Sequence, residues 1–318
     1  MATRVAQKIE DTFEISHRME KRLDLETNDL AKANLHIGKS RREACNAFKA
    51  ENGGKISTHE KGQNTGFHSW GSFHKYRDCF KTFAHYCAAV HEVKHISDIK
   101  PHMSVAFCEK LHDLGYSKNS VNGFVSSIEK FGAFLKIDFH GALKEYKHTK
   151  AYKTLEVKDV NTRAYEMPQI IIDKLKDLKC QIGIAEKTTL SAQLALNYGL
   201  RINDACHFKV LDGNRIAFNS KNGMKTTRTI SPEDHAKAAS LAENGRFNLS
   251  VNTMKGCWSR ACKAAGVENT GFHGLRHCYA QDTYTALIGR GLNHAEASSI
   301  VSHELNHSRP SITEVYLR

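Results

Sequence analysis

Two arginines, two histidines and a tyrosine in the second half of this chain have the types and spacing for one reaction, attack of a phenol on a phosphodiester. His273 and Arg276 form a His-x-x-Arg pair, His307 follows, and Tyr316 lies nine residues beyond it. Arg201 stands upstream, in Tyr198-Gly-Leu-Arg-Ile-Asn-Asp204, at a helix end. A phosphodiester is a poor electrophile whose non-bridging oxygens gain negative charge in the transition state. Guanidinium forks meet that charge with permanently protonated, bidentate donors. Arg201 and Arg276 come from different helices, as a clamp on both sides of one phosphate requires. Tyr316 is the candidate nucleophile, because a phosphotyrosine conserves the phosphoester for later rejoining. A phenol titrates near ~10 in solution, so attack at neutral pH needs a positive site and a proton acceptor. Neutral His273 suits the acceptor role, His307 suits donation to a phosphate oxygen, and Lys221, in a hairpin turn, suits protonation of the leaving 5′ oxygen. Asp204 is placed to orient a neighbouring Arg or His.

Alternatives stand beside three of these residues. His303 competes with His307, and Lys225 with Lys221. His303 and His307, at i and i+4, also offer a metal site together with His273, His277 and Cys278. That spacing is a common coincidence in a chain with 19 His, and no metal or cofactor is expected.

Positioning such groups requires a folded frame. Residues 166–318 open with Pro168 at a helix start. Ile170, Ile171, Leu175 and Leu178 mark one helical face; Leu190, Leu194, Leu196 and Leu200 mark another, ending at Gly199-Leu200-Arg201. Two β-prone runs, 215–219 and 226–230, flank Ser220-Lys-Asn-Gly223, a hairpin signal. From Ser231 onward the chain reads as helices, with turns at Gly245, Gly266, Gly271 and Gly291.

Upstream, Trp70, Phe73, Tyr76, Phe80, Phe83, Cys87 and Val90 recur at helical intervals and read as core rather than as a platform for bases. Pro101 opens a second helix through Val105, Phe107 and Leu111, closed by Gly115. Ser117 or Ser120 caps a third, with Val121, Phe124, Val125, Ile128, Phe131, Phe134 and Leu135 inward. These form a small all-α bundle over 66–140. Lys75, Lys118, Lys130 and Lys136 fall outside the apolar stripes and are the bundle's candidates for phosphate contact; Lys225 is the hairpin's. Residues 141–165 carry Lys144, Lys147, Lys150, Lys153 and Lys158 and read as a basic interdomain linker. Residues 1–65 read as an N-terminal helical arm and linker, with a weak pattern through Phe13, Met19, Leu23, Leu25 and Leu30.

The 318 residues carry a net charge of +12. Residues 1–60 are nearly balanced, and the excess divides between 61–165 and 166–318. A polyanion such as DNA is the partner this distribution suits. No apolar run approaches the ~18 residues of a membrane span, and the polar N-terminus has no signal-peptide core. Nine Cys without a C-x-x-C pair favour reduced thiols in a cytosolic compartment.

Four boxes, in this order, resemble the tyrosine recombinases, the phage integrase family. Tyr198-Gly-Leu-Arg-Ile-Asn-Asp204 is similar to the family's Thr-Gly-x-Arg-x-x-Glu/Asp. Ser220-Lys-Asn-Gly-Met-Lys225 resembles the hairpin of lambda-type integrases, whose first Lys is catalytic. His273-Gly-Leu-Arg-His-Cys-Tyr-Ala280 resembles His-x-Leu-Arg-His-x-x-Ala. Glu304-Leu-Asn-His-Ser-Arg-Pro-Ser-Ile-Thr-Glu-Val-Tyr316 resembles Leu-Gly-His followed by the nucleophile. The boxes cover nearly all of 166–318, and the bundle resembles the family's core-binding domain in pattern only. There are departures. Asn306 stands where Gly usually precedes His307, and the interval from Arg276 to His307 is longer than in Xer-type members. The chain stops two residues after Tyr316, where many relatives have a helix that docks on the next protomer. Subunit linkage is therefore expected to use another segment, with 1–60 the candidate.

The resemblance implies a mainly α fold with a small β-sheet: an N-terminal all-α, SAM-like core-binding bundle and an α+β catalytic domain over 166–318. It implies a site-specific recombinase that acts on double-stranded DNA through a 3′-phosphotyrosine and a Holliday junction. Four protomers would hold two sites, for integration or excision of a mobile element, with accessory proteins setting direction. A cytoplasmic, nucleoid-associated protein of a bacterium or phage is implied, needing no cofactor and no membrane. A type IB topoisomerase-like strand transferase, or a DNA-binding protein of this fold without recombinase activity, are the alternatives.

Overall fold

The structure is a computed structural model and describes residues 15–157, 163–180, 183–220, 224–307 and 310–317. Lys221, the expected proton donor, lies outside the described residues. The chain divides into two compact units, Met1–Lys158 and Asp159–Arg318.

The first unit is helical. Its helices are α1 (His17–Ala33), α2 (Arg41–Glu51), α3 (Thr58–Asn64), α4 (Trp70–His91), α5 (Pro101–Asp113), α6 (Lys118–Leu135), α7 (His140–Tyr146) and α8 (Lys150–Lys153). Ser16, Ser40, Ser57 and Ser69 start α1 to α4 by accepting a backbone N–H in the first turn. The aromatic stripe of α4 is core, as expected: Phe80 packs on Phe131 with ring centroids 4.8 Å apart, and Phe83 on Phe107 at 5.3 Å. Burying each such ring stabilises by roughly 1.5–3 kcal/mol. Trp70 and Val90, at the two ends of α4, are instead 55% and 47% exposed.

Two expected connectors are structured. Within 39–66 lie α2 and α3, and α1 packs Leu23, Thr27 and Ala31 inward while its Asp24 takes Lys81 at 2.6 Å and His85 at 3.0 Å. The basic stretch from 141 also joins this unit: Leu143, Tyr146 and Leu155 are buried in its core. The Tyr146 hydroxyl donates to the Cys108 carbonyl at 3.2 Å. Three apolar residues among many lysines were too few to give a readable period.

The second unit contains α9 (Pro168–Lys176), α10 (Ile184–Tyr198), α11 (Ile202–Cys206), β1 (His207–Leu211), β2 (Arg215–Asn219), β3 (Lys225–Thr229), α12 (Pro232–Leu241), β4 (Arg246–Asn248), α13 (Val251–Ala265), α14 (Gly274–Gly289), α15 (His294–Glu304) and α16 (Pro310–Thr313). The expected hairpin is β2–β3, antiparallel with Asn219 opposite Lys225. It extends into a four-stranded antiparallel sheet in the order β3-β2-β1-β4. Strand β4 falls where only helix was expected, since three residues are too short to show alternation. On α9 the buried face is Ile171, Ile172 and Leu175, while Ile170 is 40% exposed, one position off the expected stripe. Trp258 anchors the core and donates through Nε1 to the Tyr165 hydroxyl at 3.0 Å. The fold class is thus mainly α with one small sheet among the described residues. No helix there is long and apolar enough to cross a membrane.

Candidate active site

Two left-handed turns and one close backbone crossing set the site. Helix α10 ends at Gly199, in the left-handed region at φ +64°. A Cβ there would lie 2.5 Å from the Tyr279 ring and 2.9 Å from Leu305, so both the turn and the close approach require Gly. The reversal delivers Arg201 to the N-cap of α11, with extended backbone (φ −71°, ψ 155°). At Gly274 a Cβ would lie 2.3 Å from the Arg163 carbonyl and 2.5 Å from the Tyr165 ring. The missing side chain between His273 and Arg276 thus lets residues 163–165 cross the start of α14.

The second turn ends α15. Asn306 adopts φ +49°, its N–H bonds to the His303 carbonyl at 2.9 Å, and the His307 N–H bonds to the Ser302 carbonyl at 2.9 Å. This pair of bonds is the Schellman closure. It explains the departure from Gly at this position, because Asn is among the residues that best tolerate left-handed backbone. The turn aims the Leu305 carbonyl and the His307 ring at the arginines. Arg228 fastens the same helix end by donating to both the side chain and the carbonyl of Glu304.

Both guanidinium forks meet on the Leu305 carbonyl. Arg276, 2% exposed, donates to it and to the Gly199 carbonyl. Arg201 donates to it at 3.4 Å and to the Ser220 hydroxyl at 3.0 Å. Asp204 lies 3.8 Å from Arg201 and is buried. The His307 Nε2 lies 3.3 Å from an Arg276 nitrogen, and its Nδ1 lies 3.1 Å from the Thr313 hydroxyl. Since Arg276 only donates, His307 Nε2 accepts here and Nδ1–H donates to Thr313. Its expected role as a donor to phosphate needs a proton on Nε2, by the other tautomer or the imidazolium, and the Arg276 fork moved onto that phosphate.

Tyr316 sits against three imidazoles. Its hydroxyl is 2.8 Å from His273 Nε2, His277 stacks on its ring at 4.3 Å, and the His307 ring is 5.0 Å away. Arg276 lies 5.8 Å from the centre of the same ring. Burial, reinforced by Arg276, holds His273 down to about 4, and burial beside Arg163 and Arg276 does the same for His277. Both rings are therefore neutral at physiological pH. Burial, then the nearby Arg201, lowers Arg276 to about 10, which leaves it charged. Burial pushes the Asp204 carboxyl up, against the pull of Arg201 and Arg276.

No protein-family model and no curated protein sequence matches the chain. Solved structures do. XerH site-specific recombinase bound to a palindromic difH substrate, in a post-cleavage complex, aligns with a TM-score of 0.57 and 13% identity over 96% of this chain and 94% of that one. A lambda integrase(75-356) dimer bound to a COC′ core site aligns at 0.51 and 18% identity, over 85% and 96%. Tn1549 transposon integrase in complex with a circular intermediate DNA aligns at 0.51 and 12% identity, over 88% and 96%.

The fold is that of the tyrosine recombinases.

On this tyrosine-recombinase fold, Arg201, His273, Arg276, His307 and Tyr316 come together, with Asp204 behind the arginines. His303 is exposed on α15, and the contacts to Arg276 and Tyr316 run through His307. The suggested metal set does not gather three ligand atoms, and Cys278 instead meets the Tyr165 N–H at 3.1 Å. Lys225 is exposed at the start of β3, as are Lys75 and Lys136 in the first unit. Lys118 lies over the Tyr152 ring at 4.7 Å. Lys130 does not face solvent: it is 4% exposed and donates to the carbonyls of Gly62, Gln63 and Thr65. Sequence reasoning missed the part His277 plays, although its place one turn after His273 puts it on the same helical face. The Leu305 carbonyl, Ser220 and Thr313 carried no sequence signal.

Proposed function

We propose that this chain is a site-specific DNA recombinase that breaks and rejoins strands through Tyr316. The observation that carries the reading is a phenol hydroxyl 2.8 Å from a neutral imidazole, beside two guanidinium forks that share one carbonyl. In the cleavage step the Tyr316 oxygen bonds to phosphorus and the 5′ oxygen leaves, while the phenol proton passes to His273 Nε2. Arg201 and Arg276 exchange the Leu305 and Gly199 carbonyls for the non-bridging oxygens, where charge grows. Lys221 protonates the departing 5′ oxygen, with Lys225 as the alternative. Attack of a 5′-hydroxyl on the phosphotyrosine reverses the step and joins strands with no external energy.

Four protomers on two duplex sites, a Holliday junction and service to a mobile element complete the reading. The domain roles follow it: core-binding for the bundle at 66–140, catalytic for 166–318. Lys75, Lys136 and Lys225, with Lys209 and Arg246 on the sheet, are exposed and are the candidates for phosphate contact under this reading.

The test is a nicked suicide duplex carrying candidate element-end sequences, incubated with the full chain in EDTA and run on a denaturing gel. Wild type should give a covalent protein–DNA band that Tyr316→Phe lacks. Binding without an adduct on any site would favour a DNA-binding protein of the same fold. An adduct in Tyr316→Phe would remove Tyr316 as nucleophile.

A further inference from the structure

Helix α6 buries two charged residues in succession, Glu129 at 6% and Lys130 at 4% exposure. Both hold α3. The Lys130 ammonium caps the end of α3 through three carbonyls, where the negative end of the helix dipole favours a cation. Glu129 faces the side chains. Its Oε2 is 2.8 Å from His59 Nε2 on α3, and its Oε1 is 3.0 Å from His140 Nδ1 at the start of α7. The two imidazole rings are 5.0 Å apart.

A carboxylate buried this deeply carries a large desolvation cost unless it is paired. Here its partners are two imidazoles from elements far apart in sequence, and their outer edges are open, with 41% and 56% of the side chains exposed. One nitrogen from each ring and one carboxylate oxygen all lie within 4.8 Å of one another.

We propose that His59, Glu129 and His140 bind a zinc ion that pins α3 to the bundle of the first unit. Tetrahedral zinc holds His nitrogen and carboxylate oxygen at about 2.0–2.2 Å, which sets ligand atoms roughly 3.4 Å apart. Rotation of the two half-open imidazoles closes the difference. The fourth position opens to solvent, where water completes the shell; Gln63, whose amide is 3.4 Å from Glu129 Oε2, lies beside it. Two imidazoles and a carboxylate suit zinc and not the all-oxygen preference of magnesium or calcium. The three ligands belong to the first unit and Tyr316 to the second, and strand cleavage in EDTA does not test the site.

The experiment uses the full chain, stripped with EDTA and dialysed against Zn²⁺, with metal per chain read by mass spectrometry. The comparison is His59→Gln/His140→Gln, whose amides can still donate to Glu129, so the buried carboxylate keeps partners while both imidazole ligands are lost. Wild type should hold one zinc per chain more than the variant. Zinc should also slow amide exchange in residues 58–65 at least tenfold in wild type and not in the variant, and magnesium should do neither. Equal zinc content in the two proteins, or exchange in 58–65 that zinc leaves unchanged in wild type, overturns the proposal.

Discussion

The Tyr316 hydroxyl lies 2.8 Å from His273 Nε2, and His273 is held near 4 by burial and by Arg276. A base that low does not lose its lone pair until strongly acid pH. Adduct formation by the full chain should therefore hold steady as pH falls from 8 to about 5.5, then decline toward 4. Single-turnover cleavage on a nicked duplex reads this directly. An acid limb centred near pH 6.5 would assign the acceptor role to an ordinary, unperturbed His.

The same depression couples pH to stability. His273 and His277 titrate near 4 in the folded chain against an ordinary 6.5. Protons therefore bind the unfolded state preferentially between those values. The stabilisation is complete above about pH 6.5 and is lost as pH falls toward 4. After allowance for the partial exposure of His273, the pair should contribute roughly 1–3 kcal/mol of that loss. Urea denaturation at pH 7 and pH 5 measures it, and His277→Gln should make the acid loss smaller than in wild type.

Arg276 makes two carbonyl contacts and a third to His307 from a single planar fork. Lysine offers one point charge and cannot reproduce that fork. Arg276→Lys should lower the cleavage rate by about 100-fold or more and leave one buried carbonyl unsatisfied, at a cost of about 1–3 kcal/mol. Duplex binding at the same salt should change far less than cleavage. Gel-shift and single-turnover rates on one substrate separate the two.

Asn306 is needed for its backbone. Asn306→Gly should preserve both cleavage and stability, because Gly adopts φ near +49° without strain. Asn306→Val should cost about 1–2 kcal/mol or more and reduce cleavage with it, since the turn aims both Leu305 and His307. If the valine variant cleaves as wild type does, the Schellman turn does not position the site.

Lys130 should prove structural. Lys130→Ala should orphan carbonyls of α3 and lower the stability of the first unit by roughly 1–3 kcal/mol, with an unchanged salt dependence of DNA binding. Lys136→Ala and Lys75→Ala, at exposed positions, should each flatten the slope of log affinity against log salt by about one counterion. Denaturation curves and salt titrations of binding decide between these assignments.

The sequence alone determined the helices that announce themselves by period and cap, and the chemistry written in residue type. Phe80, Phe83 and Phe131 repeat at helical intervals, Pro101 and Ser117 mark starts, and Arg, His and Tyr have few other reasons to recur in such order. Burial and shared acceptors were not legible there, because they arise from residues distant in the chain. A lysine off an apolar stripe reads as solvated until α3 covers it, as happens to Lys130. His303 and His307 are equivalent in type, and only the turn at Asn306 turns one toward Arg276 and leaves the other on the surface. A backbone carbonyl such as that of Leu305 has no letter in the sequence at all. Its place between two guanidinium groups was decided by two left-handed turns, at Gly199 and Asn306, and by the close crossing at Gly274, which the tertiary structure brings together.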